Sequence, residues 1–73
     1  MQPKKLGNRL RHLRKINGET QKEFAKNFGI HYRTIQNWEL GLSIPDVFTA
    51  EKLAKYYNMD IKELVNGGDD NDK

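Results

Sequence analysis

Cysteine is absent from the 73 residues. That excludes a disulfide framework and a thiolate metal site, and it makes a reducing cytoplasm the expected compartment. At this length folding buries only about 60% of the surface that the unfolded chain exposes, so one small domain must be held by packing alone. No apolar run approaches the roughly 20 residues that span a bilayer, and the opening Met-Gln-Pro-Lys-Lys has no signal-peptide stretch. A soluble, intracellular protein is expected. There is no internal repeat, no alternating strand pattern, and no nucleophile, acid–base pair or cofactor loop, so neither an enzyme nor a cofactor is expected. His12 and His31 stand alone on different segments, which argues against a metal site and for two surface histidines.

Basic charge is unevenly spread. Residues 1–38 carry nine basic and two acidic side chains, a balance of +7, and residues 39–73 carry four basic and eight acidic, a balance of −4. The net +3 therefore conceals a dipolar molecule whose positive half suits a polyanion. Charge alone does not decide between that role and simple solvation of helix surfaces.

Apolar spacing predicts five short helices. The first, about Lys5 to Asn17, aligns Leu6, Leu10, Leu13 and Ile16 as one stripe, with basic residues around the rest. Gly7 lies within it and costs roughly 1 kcal/mol relative to alanine. Gly18, Gly29 and Gly41 each follow a helical segment and read as helix stops. The second helix opens on Thr20-Gln21-Lys22-Glu23, a capping-box sequence, and runs through Phe24, Ala25 and Phe28. The third, about Tyr32 to Leu40, turns Ile35 and Trp38 inward and Tyr32, Arg33, Gln36 and Asn37 outward. Asp46 is a good N-cap for a fourth helix bearing Ala50, Leu53, Ala54 and Tyr57, and Asp60 to Glu63 repeats the capping arrangement before Ile61, Leu64 and Val65. Tyr56, Tyr57 and Met59 fit either a dimer surface or the far side of the core. Residues 67–73 hold no apolar side chain and read as a disordered acidic tail or the start of a linker, which leaves 1–66 as the domain.

The joint between the second and third helices is the most informative feature. A capped helix of about eight residues, a three-residue connection Gly29-Ile30-His31 and a second helix with a polar outer face form the pattern of a helix-turn-helix. Ala25 is small enough for a close crossing, and Ile30 and Ile35 can fill the angle. The segments Thr20-Gln21-Lys22-Glu23-Phe24-Ala25, Phe28-Gly29-Ile30, Thr34-Ile35-Gln36-Asn37-Trp38-Glu39-Leu40-Gly41, Pro45-Asp46 and Leu53-Ala54-Lys55 resemble the Cro/phage-repressor type of helix-turn-helix domain, the XRE family. The likeness covers about residues 6 to 66. It implies an all-α, compact, five-helix lambda-repressor-like fold with a central helix-turn-helix. It also implies sequence-specific binding of a double-stranded DNA operator, transcriptional regulation, most often repression, and a homodimer on a two-fold site.

Position by position, the resemblance places Tyr32, Arg33, Gln36 and Asn37 at the bases. Arg33 suits guanine O6 and N7, Asn37 suits adenine N6 and N7, and Tyr32 suits a thymine methyl or a phosphate. Gln21, Lys22, His31 and Thr34 fall on the phosphate side, where helix N-termini favour anions. Arg14 and Glu39 match a pair that bridges the first helix to the end of the third. The chain departs from the family pattern at Glu19, where an apolar residue is usual, and at Leu40, which replaces Arg or Asn. It departs again at His31, an unusual N-cap, and in residues 41–45, which carry no basic side chain. The competing function is a protein-interaction module or an antitoxin that uses the same fold. A stacking platform of Trp38 with Tyr32 and a membrane-surface role for the basic first helix are weaker readings, since Trp38 and the narrow apolar stripe are both needed by the core.

Overall fold

Pro3 fixes the start of the first helix, because its ring presets a helical φ and its missing N–H lies where no partner exists within the helix. A computed structural model describes residues 2–66. Its order is α1 (Pro3–Ile16), α2 (Gln21–Phe28), α3 (Tyr32–Leu40), α4 (Val47–Tyr56) and α5 (Ile61–Asn66), with no strand among the described residues. The fold is all-α, as expected, and the reading of a disordered tail at 67–73 lies outside the described residues. None of these helices is long and apolar enough to cross a membrane.

Four of the five helices end in one way. After each, the amide of one residue bonds to a carbonyl five positions earlier: Glu19 to Arg14, Ile30 to Ala25, Leu42 to Asn37 and Met59 to Ala54, at 2.8 to 3.1 Å. The residue just before the donor adopts positive φ: Gly18, Gly29, Gly41 and Asn58. This is the Schellman closure, which satisfies carbonyls that the helix end would leave unpaired. At the fourth position asparagine takes the role, with φ 57°, because its short polar side chain tolerates the left-handed region better than most.

The core is built from Leu6 and Leu10 of α1, Phe24, Ala25 and Phe28 of α2, Ile35 and Trp38 of α3, Leu53 and Ala54 of α4 and Leu64 of α5. Ala25 is buried and Ile30 packs against this core, which fits a tight α2–α3 crossing. Tyr56 and Tyr57 belong to the core side. Phe24 stacks on Phe28 at 5.2 Å and on Tyr57 at 6.1 Å, and meets Tyr56 edge-on at 5.3 Å between ring centroids. Arg9 ties α1 to α5 by donating to the Glu63 carbonyl at 3.4 Å.

At one position the expectation fails, and at another the structure supplies a cause that the sequence did not show. Ile16 continues the stripe in register yet is 70% exposed, because α1 ends there and no later element reaches past it. Gly7 is buried, and its cause lies outside its own helix: a Cβ built there would sit 2.3 Å from the Trp38 carbonyl oxygen and 2.9 Å from that of Glu39. The conformational cost of glycine in a helix is the condition for α1 to lie directly on the last turn of α3.

Candidate nucleic-acid interface

The α2–α3 unit is set by its local chemistry. Thr20 Oγ1 accepts from the Glu23 amide at 3.0 Å, and Glu23 Oε1 accepts from the Thr20 amide at 2.9 Å, so the capping box is complete. After a connection of three residues from the close of α2, α3 begins at Tyr32 with His31 before it in extended conformation. His31 offers no side-chain hydrogen bond to the helix, and no acidic residue stands in the first turn. The first amides of α3 are thus left without the side-chain partner that α2 has.

Along α3 the two faces separate. Ile35 and Trp38 are buried, while His31, Tyr32 and Arg33 are exposed and Thr34, Gln36 and Asn37 are half-buried. Among the described residues the side chains of Arg33, Gln36 and Asn37 make no hydrogen bond within the protein. Tyr32 has one companion, the Lys22 ammonium 5.5 Å from its ring centroid, a cation–π distance. Lys22 and Tyr32 line an open cleft of about 480 Å³ with Arg14, Thr20 and Gln21. This cleft brings the starts of α2 and α3 to one place.

The far end of α3 is held by a buried ionic knot. Arg14 donates to Glu39 through Nε at 2.7 Å and Nη2 at 3.0 Å, a bidentate pair. Both residues are buried, at 7% and 4% exposure. The bond to Glu39 makes the Arg14 guanidinium hold its proton more tightly than usual, against the opposing pull of burial. Gln21 Nε2 donates to Glu39 Oε1 at 2.9 Å, and Arg14 Nη1 donates to the Glu19 carbonyl at 2.7 Å. Arg11 adds a longer ionic contact of 3.9 Å to the same carboxylate. One carboxylate on α3 is therefore tied to α1 and to the first residue of α2. Gln21, expected at a phosphate, also spends one amide N–H on this knot.

Glu19 takes part in a second polar cluster that its sequence position did not suggest. Its carboxylate accepts from the Tyr56 hydroxyl, from Asn27 Nδ2 at 3.0 Å and from Asn17 Nδ2 at 3.2 Å. Burial alone pushes this carboxyl up, but those three bonds and the Arg14 charge outweigh it and hold the group below its ordinary value. An apolar residue at this position would pack; Glu19 instead links the α1–α2 turn to α2 and α4 by hydrogen bonds. The available signal was the pair of asparagines near it, too short-range a cue to show that Tyr56 would arrive from 37 residues away.

A family profile described as Helix-turn-helix matches residues 10–64. Over 63 residues the chain is 36% identical to the cryptic phage CTXphi transcriptional repressor RstR of Vibrio cholerae, a match that covers 86% of this chain and 57% of that protein. The chain thus spans a little over half the length of this relative. No solved structure matches. The chain belongs to the helix-turn-helix family of the Cro/phage-repressor (XRE) type.

Proposed function

We propose that this chain binds double-stranded DNA in a sequence-specific manner and acts as a transcriptional repressor, two copies occupying a two-fold operator. In this reading α3 enters the major groove from its N-terminal end. Arg33 takes a guanine edge, Asn37 an adenine edge, and Tyr32 and Gln36 the adjoining positions. Gln21, Lys22, His31 and Thr34 meet the phosphates on either side, where the unfilled amides of α3 and the first turn of α2 favour negative charge. The ionic knot at Glu39 holds the reading helix at a fixed angle while its other end remains uncommitted.

The observation that carries the reading is the state of the α3 surface. Arg33, Gln36 and Asn37 have donors and acceptors with no protein partner, in the positive half of the chain, on a helix whose opposite face is buried core. Side chains that read base edges must be free to do so. The family membership and the repressor named among its relatives support the same conclusion.

Selection from a random duplex pool at low salt tests it. A single enriched motif is expected, with affinity falling with salt at a log–log slope of about −0.9 per phosphate neutralised. Arg33→Ala should then lose about 1 to 3 kcal/mol of discrimination at one base pair while leaving the fold intact. A pool with no enriched motif would favour the interaction-module alternative.

A further inference from the structure

Helix α1 breaks two local rules of helix charge. It carries six lysines and arginines and no acidic residue, and Lys4 and Lys5 stand in its first turn, where the helix dipole disfavours cations. A helix face that is merely solvated mixes both signs, as α4 does with exposed Glu51 four residues before exposed Lys55. Local rules are broken chiefly at functional or strained sites. Two of the six cations are used inside the protein, Arg14 by Glu39 and Arg9 by the Glu63 carbonyl. Lys4, Arg11 and Lys15 stay exposed along one side of the helix, spaced seven and four residues apart. Two contacts fix where that side faces. Arg11 Nε lies 3.9 Å from Glu39 Oε1, the oxygen that also accepts from Gln21 Nε2 at 2.9 Å, so Arg11 stands beside the start of α2 with its side chain 44% exposed. Lys4 stands at the other end of α3. A Cβ built on Gly41 would come 2.9 Å from Lys4 Cγ, so the lysine stem rests on the residue that closes α3. Among the described residues Lys4 makes no hydrogen bond or ion pair. The chain after α3 supplies no cation of its own here, since residues 40–48 hold no lysine or arginine.

We propose that Lys4 and Arg11 form a further contact with the DNA backbone, each neutralising one phosphate, so that the phosphate-binding surface runs from Gln21 and Lys22 across α1 to the end of α3. The inference rests on the operator reading above, which supplies the duplex. Both side chains project from α1 and not from the α3 face that carries Arg33, Gln36 and Asn37, so they flank the reading helix and suit the backbone rather than base edges. Seven residues of helix separate their origins by about 10 Å, which gives each its own phosphate. A bound phosphate also answers the two broken rules, because it supplies the negative charge that α1 lacks in its first turn and along this side. Arg11 keeps its long contact to Glu39 as an anchor, with the exposed part of its guanidinium left for the backbone.

The test measures affinity for the selected duplex and for a random duplex of equal length, between about 50 and 200 mM salt. Lys4→Gln and Arg11→Gln should each weaken both duplexes by the same factor, about five- to ten-fold at roughly 0.1 M salt, and lower the log–log slope by about 0.9. The enriched motif should not change, because phosphate contacts carry no sequence information. Arg11→Lys, which keeps the charge, should keep the slope. So should Lys62→Gln on α5, which meets α1 at Arg9 and not along this side. Far-ultraviolet circular dichroism checks that each variant is folded. An unchanged slope in either Lys4→Gln or Arg11→Gln overturns the proposal and leaves the operator reading in place; a Lys4→Gln protein that loses only melting temperature would mean that Lys4 serves the C-terminal dipole of α3. A slope lowered as much by Lys62→Gln or Arg11→Lys also overturns it, as does a changed motif, which would make these side chains base readers. If no motif is enriched but the slope on random duplex still falls in both glutamine variants, the contact stands and the operator reading is removed. A chain that binds neither duplex removes both.

Discussion

At its C-terminal end α3 is fixed by everything around it, and at its N-terminal end by almost nothing. Glu39 shares its carboxylate among Arg14, Gln21 and Arg11, Gly7 lets α1 touch the Trp38 and Glu39 carbonyls, and Gly41 closes the last turn. Eight residues before Glu39, His31 leaves the first turn without a side-chain cap, and the side chains of Arg33, Gln36 and Asn37 after it make no hydrogen bond among the described residues. The same helix thus serves as anchor at one end and as an open surface at the other. A helix meant only to complete a core would have no reason to leave one end unsatisfied while burying a charged pair at the other, since burying ions is costly unless they are fully partnered.

The largest effect is expected where the anchor is broken. Glu39→Ala leaves the Arg14 guanidinium buried with its main partner gone, and should cost about 3 to 5 kcal/mol of stability, measured by urea denaturation. Glu39→Gln, which keeps one acceptor, should cost less. If Glu39→Ala lost under 1 kcal/mol, the fixed end of α3 would owe its position to Ile35 and Trp38 alone.

Next in size is Gly7→Ala. On an isolated helix this change is favourable by roughly 1 kcal/mol, but here the added methyl meets two backbone carbonyls that belong to α3. Forcing the helices apart should reverse the sign and destabilise by about 1 to 3 kcal/mol. A stabilised variant would show that α1 and α3 are not in contact at that point.

The acid end of the pH profile tests the Glu19 cluster, with a smaller effect because the group is only half-buried. Its folded carboxyl is held below the usual value near 4.5 by bonds from Tyr56, Asn27 and Asn17 and by the Arg14 charge, despite the opposing effect of burial. A depressed carboxyl contributes stability that is fully present above its unfolded value and is lost as pH falls through the folded one. Denaturation midpoints should therefore decline below about pH 4.5, and Glu19→Gln should flatten that decline. An acid limb of unchanged steepness in the variant would assign it to other carboxylates.

How far the fold was legible follows the range of each interaction. The capping box, the helix stops at Gly18, Gly29 and Gly41, and the inward turn of Ile35 and Trp38 depend on neighbours within one or two helical turns, and they read directly from the chain. Ile16, Gly7 and Glu19 did not, because each is decided by what arrives from elsewhere: nothing beyond Ile16, two α3 carbonyls beside Gly7, and Tyr56 against Glu19. Asn58 was legible in principle, since asparagine after an apolar segment tolerates positive φ, but glycine is the stronger marker. For the candidate site, the outward face of α3 came from helical periodicity, while the residue roles came from the family resemblance. The second bond of Gln21, to Glu39, could come only from the packing of α2 on α3.

The smallest effect probes the open end of α3 directly, and it is the one that couples stability to binding. His31 already has the extended backbone of an N-cap, φ −71° and ψ 141°, but gives no side-chain bond. Serine in its place can accept from a first-turn amide with no change of backbone, which should stabilise the domain by about 1 kcal/mol, as a cap typically does. For a domain of this size that is a rise in melting temperature of roughly 4 to 8 °C, readable by circular dichroism. Thr20→Ala, which removes the cap that α2 has, should shift it by about the same amount in the opposite direction. If the amides at His31 are reserved for a phosphate, the more stable His31→Ser protein should bind its selected duplex more weakly, and His31→Asp, which adds a negative charge there, more weakly still. A variant that gains stability and keeps full affinity would mean that the first turn of α3 does not meet the DNA backbone, and that the difference between the two ends of the helix has another cause.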